Sequence, residues 1–246
     1  MKTAVVTLSI SSPQNDEWIA AGLPSKREYA RRIGADFVNI TERRLGGSVA
    51  SEKYQIGGML GEYDRVAYLD ADLVIDPSAP NIFDLVPPDH FGIFDESTYL
   101  AADGTRQERT ALMSWLRDGW PGCLCPFYSN NGVFVCSREH QRLFDWRTLN
   151  KKLNTYEQTH MCYRIWEALQ ASPPRIKVHW LSQSWNWMPR TWVGNDVSPE
   201  KGWVPEPKPD PCYVFHYPCH NPAERMAAME SLNAKYGLWT KEHENQ

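Results

Sequence analysis

Tyr68-Leu69-Asp70-Ala71-Asp72 sets two carboxylates one residue apart at the end of a short apolar run, Val66-Ala67-Tyr68-Leu69, itself preceded by the polar Glu62-Tyr63-Asp64-Arg65. A run this short and apolar is expected to be an interior strand of a parallel sheet, covered on both faces. In extended backbone alternate residues share a face, so Asp70 and Asp72 are expected to project together. Two hard oxygen donors at that spacing can share Mg²⁺ or Mn²⁺ and leave positions for phosphate oxygens, and ligands of open α/β sheets bind beyond the carboxyl ends of strands. The competing reading of the same residues is an ordinary acidic turn.

On the N-terminal side, Met1 to Ile10 reads as a first strand and Ser11-Ser12-Pro13 as a turn. A helix from Pro24 to Ile33, its basic residues outward, stops at Gly34, and a second strand covers Ala35 to Ile40. This strand-helix-strand rhythm is that of an α/β fold. A helix around Ser51 to Leu60 leads into the acidic strand. On the C-terminal side follow a helical turn at Ile82 to Leu85, a strand at His90 to Phe94 and a buried strand at Asn130 to Cys136. Helices are expected at Arg138 to Trp146, at Tyr156 to Gln170 and at Pro222 to Tyr236, the last opened by Asn221 and Pro222. Asp95 to Pro126 reads as an insertion over the sheet, and the chain beyond Pro173 as short strands and loops.

The 246 residues suit one domain with a sizeable core, 1–246, divided into a nucleotide-binding half of about 1–90 and a second half of about 91–246 that supplies acceptor contacts and completes a metal site. A net charge of -4 gives no polyanion-binding surface, which excludes nucleic acid as the expected partner. No segment reads as a signal peptide or membrane span, so the expected location is cytoplasmic. Six cysteines without small-scaffold spacing fit reduced thiols. Eleven tryptophans, most of them after residue 140, serve either as core or as stacking faces for sugars.

Several separated motifs together resemble those of nucleotide-sugar glycosyltransferases of the GT-A fold, especially the retaining, glycogenin-like family 8 and its microbial and viral relatives. Lys26-Arg27-Glu28-Tyr29-Ala30 with Gly34-Ala35-Asp36 is similar to their early helix, Lys53-Tyr54-Gln55 to the helix carrying a donor-facing Lys, and Tyr63 to Asp72 to their metal motif. Ser129-Asn130-Asn131-Gly132-Val133 resembles the strand start that meets the donor sugar, and Glu157-Gln158 stands where the family has Asp-Gln. Trp185-Asn186 resembles an element beside the acceptor, and Val214-Phe215-His216-Tyr217 the strand whose His completes the metal shell. Two departures stand out. His216 is followed by Tyr217-Pro218-Cys219-His220 and not by the family's Gly and Lys-Pro-Trp, which leaves Arg225 as the candidate diphosphate contact; and Glu157 has a longer arm than Asp.

The resemblance implies a mixed, mostly parallel sheet flanked by helices in a Rossmann-like GT-A domain. It also implies transfer of a sugar, with retention, from a nucleotide-diphosphate donor, a UDP-sugar in the first instance, to a glycan, lipid-linked or protein acceptor. Asp70, Asp72 and His216 are then the metal ligands, and an imidazole among carboxylates favours Mn²⁺ over Mg²⁺. Thr7 and Ser9 would edge the nucleotide site. Lys53, Ala71, Asn130, Asn131, Gly132, Asn186 and Arg225 would line the donor, and Glu157 and Gln158 would sit at the reacting carbon. Three other readings compete: a structural zinc site from Cys212, His216, Cys219 and His220, perhaps joined by Cys123 and Cys125; a non-catalytic carbohydrate-binding protein of the same fold; and a nucleotidyltransferase, which lacks a Gly-rich phosphate loop here.

Overall fold

The structure, a computed structural model, describes residues 1–11, 16–98, 118, 120–148, 157–192, 203–205, 207–218 and 221–238. Most of the expected Asp95 to Pro126 insertion, Tyr156, Cys219 and His220 lie outside these residues, as does most of the Ser11-Ser12-Pro13 turn. The main sheet is built from β1 (Thr3–Leu8), β2 (Asp36–Ile40), β3 (Arg65–Leu69), β5 (His90–Asp95), β6 (Ser129–Ser137) and β7 (Lys177–Trp180), in the order β2-β1-β3-β6-β5-β7. Every strand but β6 runs the same way; β6 pairs antiparallel with β3 on one side and β5 on the other. The sheet is mixed and mostly parallel, as the resemblance implied. Two small ribbons join it: β4 (Leu73–Ile75) with β10 (Val214–His216), and β8 (Arg190–Trp192) with β9 (Trp203–Pro205).

β3 is buried along its whole length, and so is β6. Tyr68 stacks on Phe134 at 4.9 Å between ring centroids, and Phe91 on Phe134 at 5.6 Å, so one aromatic column crosses the three central strands. Burying each such ring contributes about 2–3 kcal/mol of transfer free energy.

Several expected boundaries move. Arg65, taken from sequence as part of the polar lead-in, is the first residue of β3 and 1% exposed. Its guanidinium donates to the carbonyls of Phe83 and Val86, both at 2.7 Å, and so closes the end of α3 (Ile82–Leu85). α1 (Asp16–Ile33) starts well before Pro24 and keeps that proline inside. The bond Pro24 cannot donate falls toward the exposed Ala20, where water can substitute. Over 50–59 the backbone is a 3-10 helix, Ala50–Gln55, that continues as the single α turn α2 (Ile56–Met59). Gly57 is needed there because a Cβ would stand 2.8 Å from Phe144 Cβ. Arg138–Phe144 is likewise a 3-10 helix and ends before Trp146. α4 (Glu157–Gln170) and α5 (Pro222–Lys235) match their expected spans to within a residue, and Asn221 caps α5 by accepting the Glu224 N–H at 2.9 Å.

α1 lies directly against the acidic turn. Gly22 has no side chain because a Cβ there would meet the Ala71 carbonyl oxygen at 1.9 Å. A helical Gly→Ala change ordinarily stabilises by about 1 kcal/mol. Gly22→Ala is expected to do the opposite, since a backbone oxygen cannot move aside; urea unfolding is expected to show a loss of about 3 kcal/mol.

Candidate active site

β1, β3 and β5 finish, and the antiparallel β6 begins, at the same end of the sheet. Asp70 follows β3, and Asp72 precedes β4. Asp70-Ala71-Asp72 forms a turn and not the extended continuation expected from sequence. The two carboxylates still converge, because β10 pairs with β4 so that His216 lies opposite Leu73. His216 Nε2 stands 3.3 Å from Asp72 Oδ1 and 3.9 Å from Asp70 Oδ2. Asp70, Asp72 and His216 each offer a ligand atom within 4.8 Å of the others, and among the described residues they are the group of this kind that could hold a metal ion.

The fit to a divalent cation rests on one atom. His216 is 1% exposed, yet its Nε2 is buried without a hydrogen bond. Its Nδ1 is engaged, 2.7 Å from Asn186 Oδ1. A buried imidazole nitrogen facing two carboxylates, its other nitrogen held by an outer partner, is the arrangement of a metal ligand. Gly132 makes it possible: a Cβ there would lie 2.2 Å from His216 Cε1. The resemblance implied that Gly132 lines the donor; the structure adds that the space its missing side chain leaves is taken by the imidazole.

Lys53 reaches the site from the 3-10 helix. Its ammonium is 3.0 Å from Asp70 Oδ1, 2.9 Å from Glu157 Oε1 and 3.5 Å from the Asn131 carbonyl. Burial opposes its charge, but Asp70 and Glu157 outweigh that and raise its pKa above the ordinary lysine value. Tyr68 donates to Asp70 Oδ1 at 2.7 Å. For Asp72, burial is likewise overcome, by His216, Arg225 and Lys53, and its pKa lies well below the ordinary 3.8.

Lys26, expected on the outer face of its helix, is fully buried. Its Nζ donates to the carbonyls of Gly22, Ala71 and Leu73 at 2.8, 3.1 and 2.7 Å, gripping the acidic turn from beneath. Burial pulls its pKa down to about 7 against the opposing effect of Asp72 and Asp70. Ala71 therefore turns its carbonyl inward.

Asn130, Asn131, Asn186, Glu157 and Gln158 gather at the same place. Asn131 Oδ1 is buried without a partner. Gln158 donates to Glu96 Oε2 at 2.8 Å, and Asn130 Nδ2 to the same oxygen at 3.1 Å. Arg225 lies with Nη2 3.7 Å from Asp72 Oδ2, while it donates to the carbonyls of Tyr217 and Pro218. Thr7 and Ser9 belong to the end of β1 and the residue following Leu8. The Thr7 hydroxyl is buried without a partner, and Ser9 bonds Asn39. Sequence reading missed Glu96, Lys26 and the Tyr68 hydroxyl. Glu96 carries the signal that singled out Asp70, an acid just beyond a buried strand. The described cysteines are free and buried. Cys212 directs its thiol to the Val214 carbonyl and is not among the clustered metal donors.

No protein-family model and no curated protein matches the chain. Among solved structures it is similar to a glycosyltransferase involved in the glycosylation of the major capsid of PBCV-1, with a TM-score of 0.55 and 11% identity over 94% of this chain and 100% of that one. It is also similar to mouse xyloside xylosyltransferase 1 (TM-score 0.52, 13% identity, 90% and 99% covered). A third is the galactosyltransferase LgtC in complex with donor and acceptor sugar analogs (0.52, 14%, 97% and 98%). At these identities the similarity is one of fold: this chain has the GT-A fold of nucleotide-sugar transferases.

Two outcomes follow from the electrostatics. Lys53→Met leaves the Asp70 and Glu157 carboxylates without their shared cation and is expected to cost about 3–5 kcal/mol in chemical denaturation at neutral pH. Because the folded pKa of Asp72 lies below its unfolded value, its stabilisation is complete above pH 3.8 and is lost as the pH falls through that value and below. Unfolding free energies of metal-free protein across the acid range are expected to fall less steeply for Asp72→Asn than for wild type.

Proposed function

We propose that this chain is a metal-dependent glycosyltransferase that moves a sugar, with retention at the anomeric carbon, from a nucleotide-diphosphate donor to a hydroxyl acceptor. A UDP-sugar is the first donor to test, and a glycan, lipid-linked or protein hydroxyl the acceptor. The observation that carries the reading is the convergence of Asp70, Asp72 and the unbonded His216 Nε2 at the carboxyl end of the parallel strands. That the similar structures are glycosyltransferases supports it at the level of the class.

Asp70, Asp72 and His216 would hold the cation, Mn²⁺ before Mg²⁺ because of the imidazole. A divalent cation there supplies charge stabilisation for the leaving diphosphate without proton transfer. Lys53 holds the surrounding carboxylates in place, and Arg225 adds positive charge on the Asp72 side. Thr7 and Ser9 would edge the base, and Asn131 would offer its unbonded oxygen to a donor hydroxyl. Gln158, its amide hydrogen directed to Glu96, would offer its carbonyl oxygen to the sugar, and Glu157 the carboxylate oxygen that Lys53 does not hold. Asn186 and the buried Trp185 would lie beside the acceptor, as the resemblance implies.

Incubation with UDP-, GDP-, ADP- and TDP-sugars, followed by mass spectrometry with Mn²⁺ or with EDTA, tests this directly. One donor is expected to be consumed by wild type with Mn²⁺, and neither by Asp72→Ala nor in EDTA. Turnover that persists in EDTA would sink the metal role. An inverted anomeric product by NMR would sink retention.

A further inference from the structure

The hydrogen bonds from Glu96 to His216 have a direction. The Glu96 carboxylate accepts the Asn130 Nδ2 at 3.1 Å, while the Gly132 backbone N–H donates to Asn130 Oδ1 at 2.9 Å. One neighbour can only accept and the other can only donate, so the Asn130 amide cannot turn round without losing both bonds. Its Oδ1 also takes Asn186 Nδ2 at 2.9 Å, which leaves Asn186 Oδ1 facing His216 Nδ1 at 2.7 Å. An oxygen acceptor at that place requires the proton of the neutral imidazole on Nδ1. The lone pair then falls on Nε2, the atom that faces Asp72 and Asp70.

We propose that Glu96 and Asn130 are positioning residues that fix His216 as the Nδ1–H tautomer and so keep Nε2 open as a donor to a divalent cation. The inference rests on the reading of Asp70, Asp72 and His216 as a cation site. Were the Asn186 amide reversed, its Nδ2 would face Nδ1, the proton would move to Nε2, and that donor would be lost. Asn130 has no capacity left for a sugar hydroxyl: its two amide hydrogens go to Glu96 and to Met188 Sδ at 3.8 Å, and its oxygen accepts twice. Because Gln158 bonds the same Glu96 oxygen, one carboxylate oxygen orients both the histidine and the glutamine.

The tautomer can be read in the metal-free full chain by long-range ¹H–¹⁵N correlation at about pH 8.5, two units above the ordinary histidine value. The His216 signals are assigned by their loss in His216→Gln. Wild type is expected to show Nδ1–H. Glu96→Gln, whose amide oxygen can still accept from Asn130 and Gln158, is expected to keep it. Glu96→Leu and Asn130→Leu are expected to give mixed tautomers, and Mn²⁺ binding followed by electron paramagnetic resonance is expected to weaken about 10-fold. Should Asn130→Leu not fold, Glu96→Leu, at the partly exposed end of the chain of bonds, gives the same readout. A wild type with a proton on Nε2, as the Nε2–H tautomer or as the imidazolium, or an unchanged tautomer in the folded Leu variants, overturns the proposal. A tautomer that shifts as expected in a protein that binds no Mn²⁺ supports the relay and overturns the cation-site reading instead.

Discussion

The site depends on gathering negative charge where water is scarce. Asp70, Asp72 and Glu157 meet at one end of the sheet, and their mutual repulsion is offset from inside the protein by the Lys53 ammonium, bound to Asp70 and Glu157 within 3.0 Å. In a medium of low dielectric the attraction within such an arrangement is far stronger than in a surface ion pair and offsets the cost of burying the charges, so removing one member leaves the others to bear that cost alone. The position of the 3-10 helix follows from this. Ala50–Gln55 must approach closely enough for Lys53 to bridge Asp70, just after β3, and Glu157, at the start of α4, and Gly57 lets the next turn press on Phe144.

The backbone of the acidic turn is held just as firmly. Gly22 brings α1 into contact with the Ala71 carbonyl, and Lys26 saturates that oxygen together with those of Gly22 and Leu73. Two buried lysines thus treat one short segment from opposite sides: Lys26 binds its peptide oxygens and Lys53 its side chain. A turn so constrained presents its carboxylates at a fixed separation, which suits a ligand with strict coordination geometry.

Much of this was legible in the sequence because it follows from local pattern. Val66 to Leu69 reads as a buried strand from its apolar run, and Asp70 and Asp72 are marked by spacing. Their partner His216 was reached through resemblance, since nothing local distinguishes it from a packed histidine. What was not legible depends on contacts distant in the chain. Lys26 sits in a helical run whose other basic residues face water, and only the placement of Ala71 and Leu73, some 45 residues on, buries it. Gly132 was noticed, but the reason for it, an imidazole 84 positions later, is a tertiary fact. The 3-10 geometry of 50–55 and 138–144 also escaped, because helical periodicity over six or seven residues does not separate the two kinds of helix.

The β4–β10 ribbon joins residues near the first third of the chain to residues near its end, Leu73 with His216. During synthesis the acidic turn emerges early, with α1 already available to brace it. The histidine is not made until well over a hundred further residues have followed, and closing so long a loop comes late in folding. Two of the three donors are thus synthesised well before the third. Coordination of an ion by all three can begin only when β10 has docked on β4, so a filled site would mark a polypeptide in which segments more than a hundred residues apart have found each other.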